Sequence, residues 1–316
     1  MGTVQAVTEE PEAATGDVKQ RIAAFMTGFT AETTPGSAAK TPDYREYLRP
    51  GTVVYITFLP GSDFDGTIAV AKRLKGEGFL PVPHFAARSI PNAAFLEDKL
   101  ARLTGEVGLE QVLVIGGAID KPVGDFADTM QLLETGLFDR HGIRKFGVAG
   151  HPEGSPDISD QAIAEALRWK NDFAERSGAE LYLVTQFCFE AGPVIAWDRR
   201  IQAEGNRLPI HVGVPGLATI KTLLGHAKAC GIGPSMKFLT RQARNLTKLM
   251  TVSAPDRLVT ELAAYQASDP GCGIAGVHIY PLGGLRRSAK WSHAVIDGAF
   301  TMNRDGKGFS VDIDLG

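Results

Sequence analysis

The sequence predicts an α/β fold, specifically a (β/α)8 TIM barrel with extra helices before the last strand. Two observations predict it: short apolar segments alternate with segments of helical spacing, and eight such pairs follow one another along the 316 residues. Eight consecutive βα units are typical of a closed barrel, whose active site lies at the C-terminal ends of the strands. An open doubly wound sheet is the competing fold, but no GxGxxG motif follows the first strand.

Each strand is predicted from a short apolar run that stops at a turn or a polar residue. Thr52–Thr57 is β-branched and aromatic, and Gln111–Ile115 is closed by Gly116 and Gly117. The predicted strands are Phe25–Glu32, Thr52–Thr57, Leu80–His84, Gln111–Ile115, Phe146–Ala149, Leu181–Thr185, Ile210–Val214 and Ile274–Tyr280.

The segments between the strands carry apolar residues at helical spacing. Ser159 or Asp160 is predicted to cap one long helix, and Gly178 is predicted to end it. The predicted helical segments are Val18–Ala23, Ile68–Leu74, Asn92–Leu103, Phe126–Leu137, Ser159–Ser177, Pro193–Ala203, Ile220–Ala229, Met236–Leu249, Pro255–Ala267 and Leu285–Ile296.

Both ends of the chain differ in composition from the barrel, which is assigned to residues 17–300. Residues 1–16 are rich in Thr, Glu, Ala and Pro without apolar periodicity, which predicts a flexible leader. Residues 301–316 form a tail with a turn at Asp305–Gly308 and an edge strand at Phe309–Ile313. The tail is expected on the outside of the barrel or against a partner subunit, and a homodimer is expected.

Composition points to a small-molecule ligand. A formal charge of −3 gives no reason to expect nucleic-acid or anionic-membrane binding, and no apolar run is long enough to cross a membrane. Cys188, Cys230 and Cys272 form no CxxC pair, so neither a disulfide framework nor a zinc site is predicted. The expected location is the cytoplasm, where thiols stay reduced.

The clearest candidate for ligand binding is the end of the sixth strand, where the apolar run Leu181–Val184 stops at Thr185 and Gln186. A glutamine offers one acceptor and two donors, which suits the edge of a heterocycle. Phe187 and Phe189 could supply flat apolar surface beside it. The alternative is a strand-end cap with core aromatics.

Glu32 is the candidate acid, because a carboxyl at the end of an apolar strand is expected to have a pKa raised by desolvation. A surface loop acid is the alternative. His84 and His151 also follow strands, and structural roles are favoured over a metal site with Glu32 because no spacing motif supports one. No metal is therefore predicted.

Two further features bear on the class of enzyme. No GxSxG motif is present, and Cys188 lies in an apolar segment typical of an inert core thiol, so nucleophilic hydrolysis is disfavoured. Arg286 and Arg287 follow Gly283-Gly284 after the last strand. They indicate either a phosphate site at a helix N-terminus or an ordinary solvated basic face.

The ordered strand-end residues resemble the methylenetetrahydrofolate reductase family over about residues 20 to 300. The segment Thr185-Gln-Phe-Cys-Phe-Glu190 is the most specific match, to the family's Thr-Gln-Phe-Phe-Phe-Asp. The other matches are Glu32 before its Thr-Thr-Pro-Gly turn, Thr57, Pro83-His84 and Ala149-Gly-His-Pro-Glu153.

The resemblance implies a (β/α)8 enzyme that reduces the methylene bridge of 5,10-methylenetetrahydrofolate to a methyl group with NADH or NADPH. It implies that Glu32 protonates the folate N10 and that Gln186 hydrogen-bonds the pterin, with Phe187, Phe189 and Tyr280 completing the substrate site. The residues implied in cofactor binding are Thr57, His84, Gly116, Gly117, Ala118, His151 and Lys170.

Several departures concern the family's flavin site. Ala118 replaces an aspartate, His151 replaces a tyrosine, and Ser155 replaces a histidine. Of a basic pair only Lys170 persists, and the arginine after the last strand is absent or displaced to Arg286. Each lost charge-assisted contact is typically worth about 1.5–3 kcal/mol, so a tight FAD site is disfavoured.

The leading hypothesis is therefore hydride transfer directly between the nicotinamide and the folate without a bound flavin. An FAD-dependent version of the same reaction remains open. So do a folate-binding barrel without turnover and a methyltransferase that uses methyltetrahydrofolate.

Overall fold

The computed structural model describes residues 10–229, 240 and 252–315. The strands are β1 (Thr30–Thr33), β2 (Val53–Ile56), β3 (Leu80–Ala86), β4 (Gln111–Ile115), β5 (Lys145–Gly150), β6 (Glu180–Phe187), β7 (Ile210–Pro215), β8 (Ala218–Thr219), β9 (Val252–Ser253), β10 (Ile274–Tyr280), β11 (Phe300–Met302) and β12 (Phe309–Val311).

The helices are α1 (Glu10–Met26), α2 (Pro35–Ala38), α3 (Phe64–Gly76), α4 (Ala93–Val107), α5 (Thr129–Glu134), α6 (Leu137–Arg140), α7 (Asp160–Ser177), α8 (Ala191–Ala203), α9 (Ile220–Ala229), α10 (Asp256–Ser268) and α11 (Leu285–Ile296). Short 3-10 helices cover Tyr44–Glu46 and Ala87–Ser89.

Strands β1 to β7 and β10 close into a parallel barrel in the order β1-β10-β7-β6-β5-β4-β3-β2. The prediction of a TIM barrel is confirmed, and each of the eight predicted strands overlaps a barrel strand. α10 precedes the last barrel strand, as predicted. The other helix predicted there, Met236–Leu249, lies outside the described residues, as does Cys230.

Side-chain caps fix several helix boundaries. Ser159 accepts a hydrogen bond from the Ala162 N–H at the start of α7, and Gly178 ends that helix with φ +68°, as predicted. Asn92 caps α4 in the same way through the Phe95 N–H. These caps satisfy backbone N–H groups at the helix starts, so the helices begin at the residues that the sequence indicates.

The first predicted strand starts too early. Phe25 and Met26 belong to α1, and Gly28 with φ +74° makes the turn that leads into β1 at Thr30. α1 begins at Glu10, inside the segment predicted as a leader, and residues 1–9 lie outside the described ones.

The helix predicted over residues 126–137 is also altered. It is divided into α5 and α6 by Gly136, whose φ of +67° interrupts the helical backbone.

The tail packs on the outside of its own barrel, which is one of the two positions expected for it. β11 and β12 pair antiparallel, and Phe309 is 3% exposed. Its ring stacks on Trp291 of α11 at 5.6 Å, and its N–H donates to Asp256 of α10. Residues beyond 300 therefore add to the core between the barrel and its helices.

The barrel interior has its own small core, separate from the layer between strands and helices. It consists of Tyr55, Val82, Leu113, Tyr182 and Val184. The hydroxyls of Tyr55 and Tyr182 lie 2.6 Å apart, and we call these two residues the floor pair. Their hydrogen bond satisfies two polar atoms that would otherwise be buried without partners.

Two features are absent from the part of the chain that the structure describes: a helix that could cross a membrane and a group of metal ligands. None of its helices combines the length and the apolar character that a membrane crossing requires. In the same ranges, no three His, Cys, Asp or Glu side chains are grouped as a metal ion would need.

Candidate active site

Glu32 lies at the C-terminal end of β1, inside the barrel mouth, with a side chain that is 13% exposed. Its Oε1 lies 3.2 Å from His278 Nε2 and 3.6 Å from His84 Nε2. Its Oε2 accepts a hydrogen bond of 3.1 Å from Thr57 Oγ1. We call Glu32, Thr57, His84, His278 and Thr30 the mouth cluster.

His278 and Thr30 form the inner half of the mouth cluster. His278 Nδ1 lies 2.6 Å from Thr30 Oγ1, and both side chains are buried. Because alternate residues of a strand face the same side, Thr30 points inward like Glu32 two residues later. The rings of Tyr55 and Tyr280 contact the His278 ring edge-on at 4.5 and 4.7 Å.

The pKa of Glu32 is lowered from its ordinary 4.5, so the expectation of a raised pKa is wrong. Burial does raise this pKa, as the sequence suggested. The nearby His278, His84 and the Thr57 hydroxyl together outweigh that effect by stabilising the carboxylate. Burial lowers the pKa of His84 to about 4, so its imidazole is neutral near pH 7.

Gln186 is exposed at the end of β6, beside the mouth. The register between β6 and β7 shifts between Val184 and Phe187, which forms a bulge at this residue. Gly213 makes the bulge possible, since a Cβ there would lie 2.6 Å from the carbonyl oxygens of Thr185 and Gln186. The bulge presents the amide of Gln186 to solvent.

Tyr280 links the Gln186 segment to β10. Its hydroxyl donates to the Thr185 carbonyl over 2.8 Å, and β10 pairs directly with β1. Glu32 and Gln186 thus lie at the same end of the barrel, on either side of Tyr280.

Phe187 is 1% exposed and packs against α9, so its ring offers no face to a ligand. It instead supports the half-buried rings of Phe189 and Tyr280, at 5.7 and 5.3 Å. Of the two predicted ligand-facing phenylalanines, Phe189 is the accessible one. The role of each in binding stays a prediction.

The loop after β4 is held in place by Arg88. Its guanidinium donates to the carbonyls of Ile119 and Ala127, while its backbone N–H donates to the Gly116 carbonyl. Gly117 has φ +95°, and Ala118 is exposed. Three of the predicted cofactor-binding positions, at residues 116–118, therefore form a braced loop without a charged side chain of their own.

Lys170 and His151 lie together next to β5. Lys170 of α7 is 5% exposed, and its Nζ donates to the Ala149 carbonyl over 2.8 Å. Burial lowers its pKa to about 8. Burial and the nearby Lys170 lower the pKa of His151 to about 4. The lysine that the resemblance implies in cofactor binding is thus already bonded to a carbonyl of the barrel wall.

The remaining sequence candidates have simpler surroundings. Cys188 is buried, and burial raises the pKa of its thiol, in agreement with an inert core cysteine. Arg286 and Arg287 are exposed in the first turn of α11. Their position fits either interpretation of this basic segment.

A cavity of about 620 Å³ opens at the opposite end of the barrel. It is lined by the first residues of β5 and β6 and by Tyr182 and His211. Active sites of such barrels lie at the C-terminal ends of the strands, so we place the candidate site at the mouth.

Sequence reasoning missed His278 and Thr30. A usable signal was present: His278 precedes Tyr280 by two residues, and Thr30 precedes Glu32 by two. This spacing puts each pair on one face of a strand. A polar residue two positions before a candidate site residue was therefore the signal that could have identified these two deeper residues of the site.

Comparison with known proteins supports the sequence resemblance. No family model matches the chain. Methylenetetrahydrofolate reductase 1 of Schizosaccharomyces pombe is 32% identical over 94 residues, which is 29% of this chain and 15% of that protein. The resemblance to the methylenetetrahydrofolate reductase family is thus confirmed over a limited segment.

Solved structures confirm the fold. An uncharacterized protein from Clostridium thermocellum that binds two copies of 5-methyl-5,6,7,8-tetrahydrofolic acid matches 88% of this chain and 97% of its own, with a TM-score of 0.54 and 14% identity. A chitinase from Rhizomucor miehei matches 86% of this chain and 100% of its own, with a TM-score of 0.50 and 10% identity. Such low identities establish the barrel alone.

Proposed function

We propose that this protein reduces 5,10-methylenetetrahydrofolate to 5-methyltetrahydrofolate with NADH or NADPH. The observation that carries the proposal is a carboxylate, Glu32, at the barrel mouth. One of its oxygens accepts a hydrogen bond from Thr57 and the other faces His278, and the exposed amide of Gln186 lies at the same end of the barrel. The likeness to a methylenetetrahydrofolate reductase and a barrel neighbour that binds methyltetrahydrofolate support folate as the ligand.

In this mechanism Gln186 hydrogen-bonds the amide-like edge of the pterin, and Phe189 and Tyr280 bound the ring. The Glu32 carboxyl transfers a proton to N10, and the bond between N10 and the methylene carbon breaks to leave an iminium at N5. Hydride from the nicotinamide then completes the methyl group. Folate and nicotinamide must be bound together, since the hydride passes directly between them.

A resident FAD fits these residues poorly, and we propose that none is needed. The resemblance implied Lys170 and residue 118 as flavin contacts. Lys170 is buried with its amino group on the Ala149 carbonyl, and Ala118 carries no charge. Ala118 therefore offers no charge-assisted contact to a flavin, and the Lys170 amino group would have to leave its carbonyl and become more exposed to offer one.

Two measurements on the purified protein test the proposal. The first is NADH oxidation that depends on methylenetetrahydrofolate, with Glu32→Gln expected to lower kcat by about 10²–10⁴-fold. Equal rates for wild type and variant would refute the acid role. The second is the visible spectrum, since a flavin absorption band would refute the flavin-free mechanism and leave the hydride transfer intact.

One observation favours a second candidate, a folate-binding barrel without turnover. The lowered pKa of Glu32 suits a permanent carboxylate that accepts hydrogen bonds from a bound pterin. This function predicts that methyltetrahydrofolate binds in calorimetry while no nicotinamide is oxidised. Reversible reduction of methylenetetrahydrofolate would exclude it.

A further inference from the structure

His278 connects Glu32 to a second buried polar group. Its Nε2 faces Glu32 Oε1 at 3.2 Å, and its Nδ1 lies 2.6 Å from Thr30 Oγ1. The His278 side chain is fully buried, and among the described residues its Nε2 makes no aligned hydrogen bond. The carboxylate is thus the polar group within reach of a proton on that nitrogen.

We propose that Glu32 and His278 hold one transferable proton between them, and that His278 is the positioning residue that returns this proton to the Glu32 carboxyl. The inference rests on the proposed reductase activity, which needs an acid at the mouth. It explains how a carboxyl whose neighbours keep it ionised can still act as a proton donor.

The proton steps balance. The step starts from a His278 ring protonated on both nitrogens. The Nε2–H bond breaks as an O–H bond forms on Oε1, which leaves the neutral ring with its proton on Nδ1. The carboxyl then gives its new proton to N10 as the bond from N10 to the methylene carbon breaks. The nicotinamide supplies the hydride. Glu32 is left as a carboxylate facing a bare Nε2, and uptake of one proton from water restores the pair. Each methyl group formed consumes one proton and one hydride.

Thr30 allows the ring to serve in both states. Its hydroxyl accepts a hydrogen bond from Nδ1–H, and Nδ1 keeps this proton both when Nε2 is protonated and when it is not. Thr30 therefore keeps the imidazole oriented while Nε2 gains and loses its proton.

His84 is the other imidazole on the same oxygen, and it is the weaker candidate. Its Nε2 is farther from Oε1, at 3.6 Å, and burial keeps its ring neutral. The groups that face Glu32 from neighbouring strands are His278, His84, Tyr55 and Thr57. Tyr55 is no donor to Glu32 in this arrangement, because its hydroxyl is paired with Tyr182.

The test is a double-mutant cycle on kcat between Glu32→Gln and His278→Gln. A glutamine at 278 keeps an N–H donor toward Glu32 but cannot pass on a proton. We expect His278→Gln to lower kcat by about 10²–10⁴-fold with a folate KM within a few-fold of wild type. We expect the double variant to be no slower than Glu32→Gln, because the two residues act as a unit.

Two further variants separate proton supply from packing. Thr30→Val should shift the pH profile of kcat, and Thr30→Ser should restore it. His211→Gln removes another imidazole, which contacts the Tyr182 ring rather than Glu32, and should leave kcat within two-fold. A His278→Gln enzyme with wild-type rates at every pH, or losses that multiply in the double variant, would overturn the proposal.

Failure of the reductase activity itself would be recognised separately. If the wild type oxidises no nicotinamide, the pair can still be observed by NMR of protein carrying 15N-histidine and 13C-carboxyl glutamate. Signals of His278 and Glu32 that change over the same pH interval, with the histidine step altered in Glu32→Gln, support the shared proton. Independent titrations of the two residues refute it.

Discussion

The mouth and the floor of the barrel both hold buried polar side chains, but these are paired differently. At the mouth, the Glu32 carboxylate faces two imidazoles and accepts from a hydroxyl, and it keeps 13% of its side-chain surface exposed. At the floor, the hydroxyls of Tyr55 and Tyr182 satisfy each other and stay protonated, since burial raises the pKa of both.

The difference shows that burial alone does not set the charge of an interior group. Desolvation acts on Glu32 as it acts on the tyrosines, yet the pKa of Glu32 is lowered because donors converge on it. A polar group with a neutral partner and no access to ligand is structural. A carboxylate that faces ionisable side chains and is partly open to a ligand can take part in chemistry.

The largest effect we expect distinguishes the mouth of the barrel from its floor, because only the mouth depends on the exact position of a carboxyl group. Glu32→Asp keeps an acid but withdraws the carboxyl by about one carbon–carbon bond from His278 and Thr57. Misplacement on the order of 1 Å can cost about 10²-fold, so kcat should fall by about that factor. Tyr182→Phe at the floor should leave kcat within two-fold. Steady-state rates of both variants at saturating folate and nicotinamide test this difference. Comparable losses of kcat in the two variants would contradict it.

The next effect concerns the pH dependence of the free energy of unfolding, to which His84 contributes. Its folded-state pKa is about 4 against an ordinary 6.5. Between these values the unfolded chain binds a proton that the folded chain does not, so the free energy of unfolding falls as the pH falls. Between pH 7 and pH 5 the loss due to His84 should be about 2 kcal/mol.

Urea unfolding of wild type and His84→Gln at both pH values measures this loss. The variant should lose about 2 kcal/mol less than wild type over the interval. Glu32 does not interfere, because its stabilising contribution is present above pH 4.5 and is lost only as the pH falls through its lowered pKa. Equal losses in the two proteins would mean that His84 is not held neutral by the fold.

Much of the fold was predictable because its signals are local. Apolar runs such as Gln111–Ile115 and the cap at Ser159 depend on neighbours in the sequence, and they appear in the structure as predicted. The start of β1 was placed too early, because Phe25 and Met26 are apolar in a helix as well as in a strand. Gly28, which makes the turn, was the deciding residue.

The candidate site was harder to predict because it depends on contacts between distant strands. Glu32 and Gln186 stand out locally by type and position. Burial raises the pKa of Glu32, and the group that lowers it most is His278, which is 246 positions away in the chain. The burial of Phe187 similarly depends on α9, which no pattern around residue 187 indicates.

The third prediction tests whether the floor pair is only structural. Tyr55 is 1% exposed, so Tyr182→Phe leaves its hydroxyl without a partner and should cost about 1.5 kcal/mol of unfolding free energy. Tyr182 borders the cavity at that end, where water can replace Tyr55, so Tyr55→Phe should cost less. The double variant should be close to wild type, since no polar atom is then left unpaired. Additive losses in chemical unfolding would argue against a mutual pair.

The smallest effect we expect concerns the exposed amide at the mouth. The Gln186 side chain makes only a long hydrogen bond of 3.3 Å to the adjacent Phe187 N–H among its described contacts, so Gln186→Ala should change stability by less than about 0.5 kcal/mol. If the amide binds the pterin, the variant should lose about 1 kcal/mol of methyltetrahydrofolate affinity, or about five-fold in Kd. Calorimetric titration measures this, with Gln161→Ala on the outer helix α7 as the matched control. Unchanged affinity in Gln186→Ala would place the pterin away from β6, whereas a loss confined to this variant ties the ligand to the same end of the barrel as Glu32.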